Sequence, residues 1–357
     1  MAYTTINKSS DYFNTKLWTG NAGTQTITGV GHQPDFTWVK GRNAGGESHR
    51  LTDVIRGVGY NLKTNGNSAQ FSVSNGIQSW NSDGFIIGAD DAFNKNTKNF
   101  VSWNWKANGA GSANTDGSIS STVSANTTAG FSIATWTTPS SGTQFTIGHG
   151  LGQAPDMMIM KCTTQANSWF TYHKGLGGNV NDYLVLNETA AEASQTNMWG
   201  ANGAETNTMG FKAGTSSYTS QPMVGYFFSE KVGYSKIGSY VGNGNADGTF
   251  VYLGFSPAFL MVKRTNSTGV WGMYDSKRIG YNTSQGVQNV LRANSSDAVA
   301  TGGGDAGGFG GIDFLSNGFK CKLSDANMGA SGSSYIYMAF AENPFVTGDS
   351  ATPTTAR

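Results

Sequence analysis

Residues 31–40 read GHQPDFTWVK, and the same wording returns, altered, as GQAPDMMIMK at 152–161 and GFSPAFLMVK at 254–263. Each has a Pro six residues before a Lys: Pro34 and Lys40, Pro155 and Lys161, Pro257 and Lys263. The residues between are mostly apolar. This predicts a short buried strand entered at the Pro, where a missing N–H costs no ladder bond, and left at the Lys, where the chain is expected to return to solvent. Two further landmarks follow in fixed order. An Asn comes next, at Asn65, Asn187 and Asn294, and then a Gly-Phe pair, at Gly84-Phe85, Gly210-Phe211 and Gly318-Phe319. Each set closes on an aromatic strand: FVSWNWKA (100–107), MVGYFFSE (223–230) and YIYMAFAE (335–342). In the first of these, alternation places Val101, Trp103 and Trp105 on one face and Ser102, Asn104 and Lys106 on the other, the pattern of a half-buried strand.

Ordered landmarks at this spacing mean an internal repeat, which decides the fold before any motif does. Upstream of each Pro lies a strand–turn–strand stretch rich in Asn-Gly, Gly-Asn and Asp-Gly pairs, the residues that supply positive φ in hairpin turns. The expected architecture is all-β: three tandem antiparallel β-sandwich modules, with a jelly-roll variant equally allowed. The boundaries fall at 1–107, 118–232 and 235–345, with a C-terminal tail at 346–357. ANGAGSANTDG (107–117) is expected to be a linker, and the short junction near VGYSKIG predicts closer contact between modules two and three than between one and two.

Composition agrees with a folded, glycine-rich β protein. Fifty of the 357 residues are Gly, and the charged fraction is 13%, against usual values of about 7% and about 25%. With 9 Trp, 14 Tyr, 20 Phe and a formal charge of +1, the chain is no candidate for disorder. Twenty-three basic residues against 22 acidic ones, with no Lys/Arg cluster, argue against a nucleic-acid partner. No apolar run is long enough to cross a bilayer, and the N-terminal wording is not that of a signal peptide, so a soluble product made in the cytoplasm is expected. Cys162 and Cys321 sit at non-equivalent positions of different modules and are read as free packed thiols.

The strings NFVSWNWKANGAG (99–111), TVSANTTAGFSI (122–133), GHGLGQAPDMMIMK (148–161), KIGSYVGNGNADGTFVYLGFSPAFLMVKRT (236–265), FLSNGFK (314–320) and YMAFAENPF (337–345) resemble the repeated modules of virion structural proteins of marine bacteriophages, cyanophages included. Most of those are tail-fibre or tail proteins. The resemblance covers nearly the whole chain and implies a non-enzymatic subunit exposed on the particle, complete as it stands. Its expected partners are further copies of itself in a trimer, other virion proteins and a host surface glycan. The alternative is a purely structural head fibre, capsid decoration or tail component. The family supplies no catalytic or ligand-binding residues to carry over.

Chemistry sought directly in the residues gives little. His32, His49, His149 and His173 are read as structural, because His173 follows Tyr172 just as Asp275 follows Tyr274, a change no catalytic base tolerates. GHGLGQ lacks the Lys-Ser/Thr of a phosphate loop. Asp182 with Glu188 or Glu192 makes a poor glycosidase pair, and Asp90-Asp91 near Asn94 and Asn96 reads as a solvated loop rather than a Ca²⁺ site. No catalytic residue, metal or cofactor is assigned. Specificity is expected where the copies differ. The Asn-to-Gly interval grows from 19 residues to 23 and 24, and module two's loop TNMWGANGAETNT (196–208) places Trp199 among amides. Trp199, Asn202 and Tyr218 are therefore the expected binding residues, an aromatic face beside amide donors. In module three GGGDAGGFGG (302–311) is expected to wrap a neighbouring subunit. Trp169 and Trp271, fourteen residues past their Pro, are expected to pack.

Overall fold

A computed structural model describes residues 4–140, 142–177, 180–212, 218–278, 289–299 and 311–344. The expected tail at 346–357 lies outside them, as does all but the last residue of GGGDAGGFGG. The described chain is nearly all β, in several antiparallel sheets, none closed into a barrel. One order of four strands recurs in the three larger sheets. An opening strand (Phe13–Thr19, Phe131–Thr137, Ser235–Val241) pairs with a closing strand (Asn99–Trp105, Pro222–Phe228, Ser334–Asn343). The closing strand pairs in turn with the strand that follows the Pro landmark (Phe36–Gly41, Met157–Cys162, Ser256–Arg264). That strand pairs last with Arg50–Asp53, Phe170–His173 or Trp271–Asp275. Registers agree as well: Phe36 lies across from Trp105, Met157 from Phe228 and Phe259 from Phe340.

Both faces of the closing strands and of the strands after the Pro landmark are buried. Side chains of one parity point inward to a single core shared by all three larger sheets, and Trp105 sits where they converge. Its ring meets Phe131 and Phe228 of the second sheet at 6.3 and 6.1 Å, and Phe259 and Phe340 of the third at 5.9 and 5.8 Å. Side chains of the other parity point outward, against a smaller sheet that carries the Gly-Phe landmark. Ser102 and Asn104 are consequently buried, contrary to the half-buried pattern, and Asn104 Nδ2 donates to Asn14 O at 3.0 Å and to Ser102 Oγ at 2.9 Å. The Gly-Phe pair has a steric reason. A Cβ on Gly84 would meet Ile27 O at 2.0 Å and one on Gly318 would meet Val251 O at 2.1 Å, so the neighbouring strand approaches only glycine. The following Phe85, Phe211 and Phe319 are fully enclosed.

Two sequence expectations fail here. Residues 107–117 are no free linker, because Ser112–Asn114 pairs with Ser121–Asn126 and the Ala107 N–H donates to Asp35 Oδ2 at 2.7 Å. The landmark lysines never reach solvent: Lys40, Lys161 and Lys263 are buried, each spending its ammonium on two backbone carbonyls.

Candidate functional site

The seams between the three larger sheets hold a set of buried polar groups. The landmark Asn explains itself there. Oδ1 of Asn65, Asn187 and Asn294 accepts the backbone N–H of His49, Trp169 and Trp271 at 3.0, 2.8 and 3.1 Å. Each of those rings then crosses to the next sheet. Trp169 Nε1 donates to Lys63 O at 2.8 Å, Trp271 Nε1 to Val185 O at 3.1 Å and His49 Nε2 to Arg292 O at 2.9 Å, in every case the carbonyl two residues before that sheet's own Asn. The bonds run in a closed ring, second to first, third to second and first to third. His49 Nδ1 accepts the Trp38 indole N–H at 2.8 Å, which fixes a neutral tautomer.

A second ring of contacts uses Asp53, His173 and Asp275. Asp53 Oδ2 accepts from Arg56 Nε at 2.6 Å and from the Tyr226 hydroxyl of the second sheet at 2.8 Å. Asp275 Oδ2 accepts from Arg278 Nε at 2.5 Å and from Trp103 Nε1 of the first at 3.0 Å. The third closing strand carries Met338, which has no side-chain donor, in register with Trp103 and Tyr226. There the Asp and Arg are replaced by His173 and Leu176, and His173 Nε2 donates instead to Tyr337 O at 3.2 Å. Charge is kept only where the opposite strand offers a hydrogen to a carboxylate.

Burial sets the titration of these groups. It holds His32 and His173 down to about 4 and His49 well below its ordinary range, so none is a base poised near neutrality. It also lowers Lys40 and Lys161 to about 8 and Lys263 to about 7. Cys162 and Cys321 are free and buried, and burial pushes the Cys321 thiol up to about 11, away from reactivity. Asp90 caps the short Asp91–Asn94 helix through the Ala92 N–H at 2.9 Å. Among the described residues no three His, Cys, Asp or Glu side chains gather to hold a metal, and no helix is long and apolar enough to cross a membrane.

The expected binding residues do not form one face. Trp199 is fully buried, its N–H donated to Asp182 O at 2.7 Å and its ring edge-on to Tyr172 at 5.7 Å, so it cannot stack on a ligand. The insertion folds inward because a large ring gains more from roofing the outer layer than from standing in water. Asn202 is exposed, beside shallow depressions next to Lys174 and Thr146. Tyr218 is half-buried and lines a different feature, an apolar pocket of about 70 Å³ between the second larger sheet and its outer layer. Trp136, Phe145, Met160, Met198, Phe211 and Met223 furnish its walls, with Gln195 and Lys212 exposed at its mouth. Of the sites considered, this pocket has the form of a small-ligand site: apolar walls with a few polar groups. The sequence reading missed it, although a signal existed: aligned closing strands put Met223 where the others carry Phe100 and Tyr335.

A family model described as Domain of unknown function (DUF7483) matches residues 8–344, through all three recurrences of the strand order. No curated protein matches the chain.

Proposed function

Starting from the chain's membership of the DUF7483 family, whose domain spans residues 8–344, we propose that three diverged copies of one β-sandwich module make up a non-enzymatic structural subunit of a bacteriophage particle. It is exposed on the virion surface as a tail-fibre or adhesin subunit that contacts host glycans. The resemblance of the repeated strings to phage virion proteins supplies the setting. The observation that carries the non-enzymatic part is where the polar chemistry is placed: His49, Asp53, His173 and Asp275 are committed to seams between the copies. Such a body resists being pulled apart, a useful property on a particle surface. Since one chain already closes three copies around one core, a trimer would associate through outer faces.

The burial of Trp199 favours the second reading, a head fibre, decoration or tail component that never touches a receptor. Gold-labelled antibodies against the protein, or a reconstruction of the virion, separate the two by position. Labelling at the tail tip, with reduced adsorption of phage lacking the protein, is the expected result. Labelling confined to the capsid, with adsorption unchanged on deletion, leaves the structural role alone.

A further inference from the structure

Two strands of the second larger sheet, Ser112–Asn114 and Ser121–Asn126, stand outside its opening strand Phe131–Thr137. The first and third sheets begin at their opening strands, so among the described residues this addition belongs to the middle copy alone. Along Phe131–Thr137 the inward-facing residues change character. Phe131 and Ile133 join the common core, whereas Thr135 and Thr137, next on the same face, do not. The added strands extend the change sideways, because Thr122 lies directly across from Thr135. A cleft of about 590 Å³ opens there between two copies. The second contributes Thr122, Thr135 and Thr137 to its lining, and the first contributes Arg56, Tyr60 and Gln70. The two sides are tied together, the Gln70 N–H donating to Thr163 O at 2.8 Å and Arg56 Nη2 to the Tyr226 hydroxyl at 3.2 Å, so the cleft is formed before any ligand arrives.

Its lining selects for one kind of molecule. The hydroxyls of Thr122, Thr135 and Thr137 have no hydrogen-bond partner among the described residues, and those of half-buried Thr122 and Thr135 are reached by solvent, unlike the enclosed hydroxyls of Thr15, Thr37 and Thr171. Tyr60 is 44% exposed, one of few large rings left open to water. The charge of Arg56 is already committed, its Nε to Asp53 Oδ2 at 2.6 Å, so an ionic ligand would find no free counter-ion in the lining. A volume within the roughly 300–1,000 Å³ of small-ligand sites, open hydroxyls and one exposed ring suit a polyol with an apolar face. We propose that this cleft between the first two copies binds an uncharged glycan, one sugar ring packed on Tyr60 and its hydroxyls bonded to Thr122, Thr135 and Thr137. That the glycan is the host's rests on the host-attachment reading; its neutrality and its hydroxyls rest on the cleft.

The test reads binding of the full chain to an array that carries neutral hexose oligosaccharides beside sialylated and uronic-acid ones, with a melting temperature taken for each variant. Neutral members should be bound and anionic ones not. Tyr60→Ala should weaken binding about tenfold by removing the packed ring. Thr135→Val, which keeps the shape and removes one hydroxyl, should weaken it about threefold to tenfold. Thr137→Trp fills the cleft from an exposed position and should abolish binding while leaving the melting temperature near that of the parent. Tyr252→Ala, at a tyrosine 62% exposed that does not line the cleft, should bind as the parent does. Absence of glycan binding, a preference for anionic glycans, or unchanged binding by folded Tyr60→Ala and Thr137→Trp chains overturns the proposal. If it fails while phage lacking the protein still adsorb poorly, the attachment reading stands without this cleft. Normal adsorption on deletion, with neutral-glycan binding intact, fails that reading alone.

Discussion

The buried Asp275–Arg278 pair is held from a second side by the Trp103 indole of another copy, so its parts are unequal in what their loss costs. Asp275→Ala leaves a guanidinium enclosed without its anion and should cost about 3–5 kcal/mol. Asp247, paired with Lys320 but largely exposed, should change stability little on the same substitution. Urea denaturation of both variants measures the contrast, and similar losses would refute it. The histidines predict the acid limb. His32 and His173 have folded pKa values near 4 against 6.5 unfolded, so the unfolded chain binds more protons between those values. Their contribution is complete above pH 6.5 and disappears as pH falls towards 4, about 3 kcal/mol for each group at the limit. The lysines act in the other range: lowered to about 7 or 8, they make stability rise as pH increases from 7 towards 10. Denaturant midpoints taken from pH 4 to pH 10 should climb, and a flat profile would show these groups to be hydrated.

Among the elements, the Gly-Phe entry to the outer sheet carries the sharpest local demand. Replacing Phe85, Phe211 or Phe319 by Ala empties a fully enclosed site and should cost about 3–5 kcal/mol. Gly318→Ala should also destabilise, because its Cβ would lie 2.1 Å from Val251 O, whereas Gly45→Ala meets nothing within 4 Å and should be tolerated. Thermal melts of the five variants decide it; a neutral Gly318→Ala would mean that the strand yields. This landmark was readable from the chain because a glycine fixed beside a large ring marks a close approach in any context. The lysine landmark misled for the opposite reason. Its apolar run was legible, but each ammonium is received in part by a carbonyl beyond the end of its own strand, Ser296 for Lys40, Gln165 for Lys161 and Thr189 for Lys263, and for Lys40 and Lys263 that carbonyl belongs to another copy.

For the whole molecule, the common core makes separate folding of the copies unfavourable. A fragment ending at residue 107 would leave Phe13, Phe36 and Trp105 facing water where Phe131, Phe228, Phe259 and Phe340 now cover them. The full chain should therefore unfold in one calorimetric transition, and residues 1–107 or 118–232 alone should give the poorly dispersed amide spectrum of an unfolded or aggregated chain. Three resolved transitions, or a folded monomeric fragment, would show the seams to be secondary.

The sequence by itself determined the β character, the recurrence and the positions that must be glycine, aromatic or Asn, because these follow from local sterics and from strand alternation, which any copy shows alone. Only the tertiary structure decided that the copies share one core, that Ser102, Asn104 and the lysines are enclosed, and that Trp199 roofs a layer while Trp136 faces a cavity. A strand's pattern reports which residues share a face, but what covers that face is set by partners a hundred or more residues away. The copies carry matching patterns on both faces of their larger sheets, so no single one discloses that its inner face belongs to the other two.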